Sequence, residues 1–168
     1  MYLKKYFFPI ILVVIAGIIT VGYFVFLKPK GTAVKDNPDS SFIGLGEYTN
    51  LSGKGLTEFP MGILKQTSME ELDLSDNQLT GAFPAEIKNL ANLKVLRASN
   101  NRLTGIPAEI GQITQLEILD FSFNQITGLP NEIANLKNLK VLNLRGNIPS
   151  QQDMDYILRA LPDLKIIL

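Results

Sequence analysis

Leu72-Asp-Leu74-Ser-Asp-Asn77-Gln-Leu79 decides the fold, because the same pattern returns three times. It recurs as Leu96-Arg-Ala98-Ser-Asn-Asn101-Arg-Leu103, as Leu119-Asp-Phe121-Ser-Phe-Asn124-Gln-Ile126 and as Leu142-Asn-Leu144-Arg-Gly-Asn147. The asparagines at 77, 101, 124 and 147 are 24, 23 and 23 residues apart, inside the range of a solenoid of stacked coils. Leu72 and Leu74 point one way while Asp73 and Ser75 point the other, which is the period of a strand. Leu79 follows where the chain turns. Pro84 then opens a return leg, with Ile87 and Leu90 at helical or 3₁₀ spacing. Prolines at 60, 84, 107 and 130 start these legs in register. Stacked coils would align their strands into a parallel sheet with the leucines facing inward.

The asparagine stands where the strand bends and its backbone loses ladder partners. Its side chain carries two donors and an acceptor for the neighbouring coil's backbone, and losing it would orphan buried groups at roughly 1–3 kcal/mol each. The pattern resembles the leucine-rich repeat, over about three quarters of the chain. The resemblance implies an α/β fold: a right-handed solenoid with a parallel concave sheet and a helical or 3₁₀ convex side. Asn77, Asn101, Asn124 and Asn147 would form that family's asparagine ladder. Leu79-Thr-Gly81-Ala-Phe-Pro84 resembles the plant-type repeat, and Leu103-Thr-Gly-Ile-Pro107 the shorter type widespread in bacteria. The array reads as bacterial in type.

Residues 46–168 are expected to hold about five repeats. In the first, Lys54 takes the asparagine slot and Thr49 a leucine slot, as a solvent-facing terminal coil allows. At the other end Ser150 reads as an N-cap, with Asp153 in the capping-box position. Met154, Ile157, Leu158 and Leu161 form an apolar stripe, giving a closing helix at 151–161 and a last strand at 165–168. This finish resembles the closing unit of many bacterial leucine-rich repeat proteins, and the array is expected to be complete.

Tyr6 to Leu27 is a run of 22 residues without a charge, and roughly 20 apolar residues span a bilayer core as a helix. Lys4, Lys5, Lys28 and Lys30 bracket it, and aromatic residues stand at both ends. The expectation is a short tail at 1–5, a transmembrane helix at 6–27 and a linker at 28–45. As a flexible chain that linker would reach about 20–25 Å. A helix at this end, with the folded domain after it, suits export: anchored in the cytoplasmic (inner) membrane, with the repeats outside the cytoplasm.

Composition removes several function classes. There is no Cys and no His, which excludes disulfides, the usual zinc sites and nucleophile–His pairs. Residues 1–45 carry five lysines against two aspartates, while residues 46–168 carry 11 basic and 14 acidic side chains. An acidic repeat domain does not suit nucleic acid.

Aligning the strands puts outward residues into columns about 4.8 Å apart. One column reads Asn50, Asp73, Arg97, Asp120, Asn143, with Arg97 set between two carboxylates as an alternating charge ladder. Another reads Tyr48, Glu71, Val95, Ile118, Val141. A third reads Ser52, Ser75, Ser99, Ser122, Arg145, with Phe123 beside it. Tyr48, Glu71, Asp73, Arg97, Asp120, Phe123, Asn143 and Arg145 are the candidate partner-binding residues, since aromatic residues and Arg dominate hot spots. No catalytic residue is assigned. Asp73 and Asp120 would lie roughly 10 Å apart, but Arg97 between them would lower both pKa values, the wrong direction for a general acid. Alternation also scatters Glu70, Glu71, Asp73 and Asp76 over different faces, so no metal or cofactor is expected. The reading is a single-pass, membrane-anchored, non-catalytic protein-binding module. Its alternatives are a self-associating structural envelope spacer and an adaptor on the cytoplasmic side.

Overall fold

A computed structural model describes residues 47–168 and, ahead of them, Val14–Ile15 and Ile18–Ile19. The chain divides into two units, Met1–Phe42 and Ile43–Leu168. In the first, β1 (Val14–Ile15) pairs antiparallel with β2 (Ile18–Ile19). These four β-branched residues fall inside the expected transmembrane helix and are extended rather than helical. Val and Ile suit strands unless a bilayer forces every backbone hydrogen bond to close within one segment. The rest of the expected tail, helix and linker lies outside the described residues. Among the described residues no helix is long and apolar enough to cross a membrane.

The second unit is a stack of coils. Each contributes one short strand to a parallel sheet: β3 (Glu47–Asn50), β4 (Met69–Asp73), β6 (Val95–Arg97), β8 (Ile118–Asp120), β9 (Val141–Asn143) and β10 (Lys165–Ile167). The sheet order is β10-β9-β8-β6-β4-β3. A second, two-stranded parallel sheet forms where the chain turns, from β5 (Thr80–Gly81) and β7 (Arg102–Leu103). The return legs are 3₁₀ segments at Met61–Lys65, Ala85–Asn89, Ala108–Gln112 and Asn131–Asn135, each starting directly after one of the four prolines. Proline fits there because its fixed φ suits a helical entry and its missing N–H falls where no intrahelical acceptor exists.

The core lies between sheet and return legs. Leu72, Leu74, Leu96, Leu119, Leu142 and Leu144 are fully buried from the strand side, and Ile87, Ile110 and Ile133 from the other. Phe59, Phe83 and Phe121 form an aromatic run, with centroids 5.0 Å apart for the first pair and 5.6 Å for the second. Phe121 occupies a slot that holds Leu74, Ala98 and Leu144 in the other coils. Phe83 belongs to the second coil and Phe121 to the fourth. The intervening coil has the small, buried Ala98 at that slot.

Adjacent return legs approach most closely at Gly111. A Cβ there would lie 2.7 Å from the Glu132 Cβ and 2.8 Å from its carbonyl carbon, and closer still to the carbonyl oxygen. Gly111→Ala is expected to cost about 1–3 kcal/mol by forcing the coils apart. Gly105→Ala, where the added Cβ meets nothing within 4 Å, should leave the urea midpoint unchanged or raise it slightly. Equal midpoints for the two variants would show that the coils are not in contact at Gly111.

α1 (Gln151–Ala160) precedes the last strand, and three details differ from expectation. Ser150 sits at the N-cap but makes no side-chain cap. Asp153 does not reach back to complete a capping box. Its Oδ2 instead accepts the Leu129 N–H at 2.9 Å, tying the helix to the preceding coil. An unpaired amide in a neighbouring element offers the carboxylate more than a solvent-accessible helix start does. The apolar stripe is also narrower than read: Met154, Ile157 and Leu161 are buried, while Leu158 is exposed.

Candidate functional site: the open face of the sheet

The strand register aligns Asn50, Asp73, Arg97, Asp120 and Asn143 across five strands, and beside them Tyr48, Glu71, Val95, Ile118 and Val141. All but the buried Val95 are half-exposed. Phe123 and Arg145, just beyond the strand ends, are exposed. The face carries two cationic, two aromatic and three acidic groups.

The charges pair differently from the expected Asp73–Arg97–Asp120 ladder. Arg97 Nη1 reaches diagonally to Glu71 Oε2 at 3.4 Å. The two aspartates are engaged elsewhere: the Ser75 N–H donates to Asp73 Oδ1 at 2.9 Å, and the Ser122 N–H and hydroxyl donate to Asp120 Oδ1 at 2.9 and 2.7 Å. Asn143 Nδ2 donates to Asp120 Oδ2 at 3.0 Å. Asn50 and Asn143 likewise accept the N–H two residues on. Four of the five side chains in this column thus hold the bend that ends their own strand, a local bond open only to Asp and Asn here. Arg97 has no acceptor and is the exception.

An alternating ladder does exist, three residues earlier in each coil. Lys94 bonds Glu70 at 2.9 Å and Lys140 pairs with Glu117. The Glu70 hydrogen bond holds the Lys94 ammonium above its usual range. Lys140 is exposed and the other three side chains are half-exposed, and such pairs contribute roughly 0–1 kcal/mol. Tyr48, at the other edge, has its phenol pushed up by burial and then by the Asp73 and Glu71 carboxylates, against a lowering by Arg97. It stays a neutral donor.

The ladder asparagines bond both coils they join. Asn101 Oδ1 accepts the Leu79 N–H and its Nδ2 donates to the Leu74, Ala98 and Ser99 carbonyls, and Asn124 repeats this one coil on. Asn77 accepts the Lys54 and Leu56 N–H groups of the first coil. Asn147 accepts the Ile126 N–H.

Immediately before each ladder position the backbone is left-handed: Gly53 (φ 62°), Asp76 (57°), Asn100 (54°), Phe123 (52°) and Gly146 (75°). Gly, Asp and Asn enter this region easily. A bulky Phe does so at a cost of roughly 1–2 kcal/mol.

The whole 67–148 stretch matches known repeats. Residues 92–148 match the family model described as leucine rich repeat, and residues 67–109 the model described as leucine rich repeats in two copies. Residues 67–148 carry leucine-rich repeats. Its repeats are similar to Receptor-like protein 47 of Arabidopsis thaliana, 44% identical over 92 residues, which is 55% of this chain and 11% of that protein. Among solved structures, a leucine-rich repeat protein of Leptospira interrogans, LIC12759, is 40% identical with a TM-score of 0.62, covering 66% of this chain and 28% of that one. The BIR3–SERK2 complex from Arabidopsis thaliana gives 35% identity and a TM-score of 0.52, covering 55% of this chain and 51% of that one. The chain spans 7 and 11% of the length of the first two curated relatives. Those relatives are plant receptor-like proteins and do not support the bacterial assignment read from repeat flavour. Short repeats vary within one array, so flavour is a weak marker of lineage.

Sequence reasoning missed Ile148. In the other leucine-rich repeats the apolar residue stands two places after the ladder asparagine, as Leu79, Leu103 and Ile126, and is buried. After Asn147 that slot holds Pro149, and Ile148 falls instead in the exposed column of Gln78, Arg102 and Gln125. It is 82% exposed. The one-residue shift was readable in the sequence.

Proposed function

We propose that this leucine-rich repeat protein is a membrane-anchored, non-catalytic binding module whose open sheet face recognises a partner protein outside the cytoplasm. The observation that carries this reading is Arg97, the one residue in its column that gives up the strand-ending bond made by Asn50, Asp73, Asp120 and Asn143. A local rule broken in the middle of a regular array points to a use outside the fold. The similar BIR3–SERK2 chain was solved in a complex. Tyr48, Glu71, Asp73, Arg97, Asp120, Phe123, Asn143 and Arg145 are the proposed contact residues. A face of six short strands would bury about 500–800 Å² per partner, the low to standard end for specific interfaces. The anchor rests on the 22 uncharged residues from Tyr6 to Leu27, which in lipid satisfy their backbone as a helix.

Two measurements test this. A photo-reactive benzoylphenylalanine placed at Val141 on the sheet face should yield adducts with another protein in cells, while one at the exposed Gln112 on the return side should not. Arg97→Glu should weaken the captured interaction at least about tenfold. Adducts only between copies of this chain would replace the binding reading with the self-associating spacer. For orientation, Lys137→Cys adds a single thiol to a chain without one. Labelling of intact cells by a membrane-impermeant maleimide is expected, and protection until the inner membrane is lysed would put the repeats in the cytoplasm.

A further inference from the structure

We propose that Phe123, Arg145 and Ile148 form a preorganised notch beyond the strand ends, which takes a partner-protein segment carrying a carboxylate beside an apolar side chain. This rests on the binding-module reading and names the chemistry of its partner.

Four observations converge on the notch. Phe123 holds a left-handed backbone that the equivalent positions leave to Gly, Asp or Asn, and the residue is 54% exposed. The ring lies on the backbone of the next coil: a Cβ at Gly146 would meet Phe123 Cδ1 at 2.8 Å. Gly146 is therefore needed for the ring to sit there. The Arg145 guanidinium stands 5.8 Å from the ring centroid, a cation–π distance that fixes the two side chains against each other. Gly146 also lines a hollow of about 260 Å³, with Ile126, Thr127 and the displaced Ile148.

The exposed Phe123, with the Arg145 cation beside its ring, thus packs on Gly146, and Gly146 and Ile148 line the adjoining hollow. Among the described residues no carboxylate lies within salt-bridge distance of Arg145, whereas Arg97, Lys94 and Lys140 each have one. Charge complementarity asks for a carboxylate at Arg145, and the hollow beside Ile148 asks for an aliphatic or aromatic side chain next to it. Arg is enriched at interface hot spots, and aromatic anchors beside it give most of the energy. An anionic lipid surface suits the notch less well, since residues 46–168 carry 14 acidic against 11 basic side chains and a single cation gives little attraction.

The test uses the full chain in nanodiscs of zwitterionic lipid, panned with a phage library of random dodecamer peptides and counter-selected on Ile148→Ser. Enriched peptides should carry Asp or Glu within two residues of Leu, Ile or Phe. Synthesised singly, they should bind Arg145→Ala and Ile148→Ser about tenfold more weakly than the wild type, with unchanged thermal midpoints because both side chains are exposed. Enriched peptides without an acidic residue would overturn the proposal. Peptides lost on Arg97→Glu but not on Arg145→Ala would remove the notch and leave the binding module standing. No enrichment also overturns it. In that case a dye on Ile148→Cys that shifts to the blue with anionic lipid would assign the notch to a membrane surface.

Discussion

Asn124→Ala is expected to lower the stability of the repeat domain by about 2–4 kcal/mol, read as a shift in urea midpoint with an unchanged slope. Not every lost bond counts equally. Nδ2 donates to the carbonyls of Ala98, Phe121 and Ser122, but each keeps another donor: Asn101 for Ala98, Asn147 for Phe121 and the Asn100 N–H for Ser122. The Leu103 N–H, which gives to Asn124 Oδ1 at 2.9 Å, has no such reserve and is left buried and unpaired. That single orphan is the largest part of the loss, at about 1–3 kcal/mol, with the cavity adding to it.

Asn124→Asp separates the parts. It keeps the acceptor for Leu103 but turns a carboxylate toward three carbonyls, which raises its pKa in the fold above the unfolded value of about 3.9. The neutral form is then the one the fold favours. The variant's deficit should be small below about pH 4 and grow as pH rises past it. A deficit flat in pH would mean that the side chain had swung out to water and that the ladder tolerates its loss.

Phe121→Ala is expected to cost about 3–5 kcal/mol, as for other buried phenylalanines. Phe121 is fully buried, and its ring is the partner of Phe83 at 5.6 Å. Phe121→Leu, the residue type at the same slot in two other coils, should cost less than about 1.5 kcal/mol. Ala98→Leu should overpack the same space, at about 1–3 kcal/mol. If Ala98 is what lets the rings meet, the double variant Ala98→Leu/Phe121→Ala should cost less than the sum of its parts, a coupling readable in a double-mutant cycle. Strict additivity would show that Ala98 and the phenylalanines do not share one space.

Much of the site was legible because strand register follows from local rules. A side-chain period of two and a repeat of 23–24 residues leave one alignment that buries the leucines of the strands. That alignment puts Arg97 between Asp73 and Asp120 before any coordinates exist. It does not say whom Arg97 bonds. The aspartates lie closer to their own serine N–H groups than to a side chain one strand away, so the backbone claims them and Arg97 turns to Glu71. Asp153 follows the same logic, leaving its expected cap for the Leu129 N–H of another coil.

By itself the sequence determined the coil period, the parallel sheet, the face each strand residue takes and where the proline-led return legs start, since all depend on spacing along the chain. It also determined the length and apolar character of residues 6–27. Only the tertiary structure decided which polar groups pair, that the rings of Phe83 and Phe121 meet, that the return legs are 3₁₀, and that Phe123 is held left-handed on Gly146 beside Arg145. Those outcomes turn on distances of a few ångströms between coils, where competing partners differ by about a kilocalorie per mole and no residue spacing ranks them.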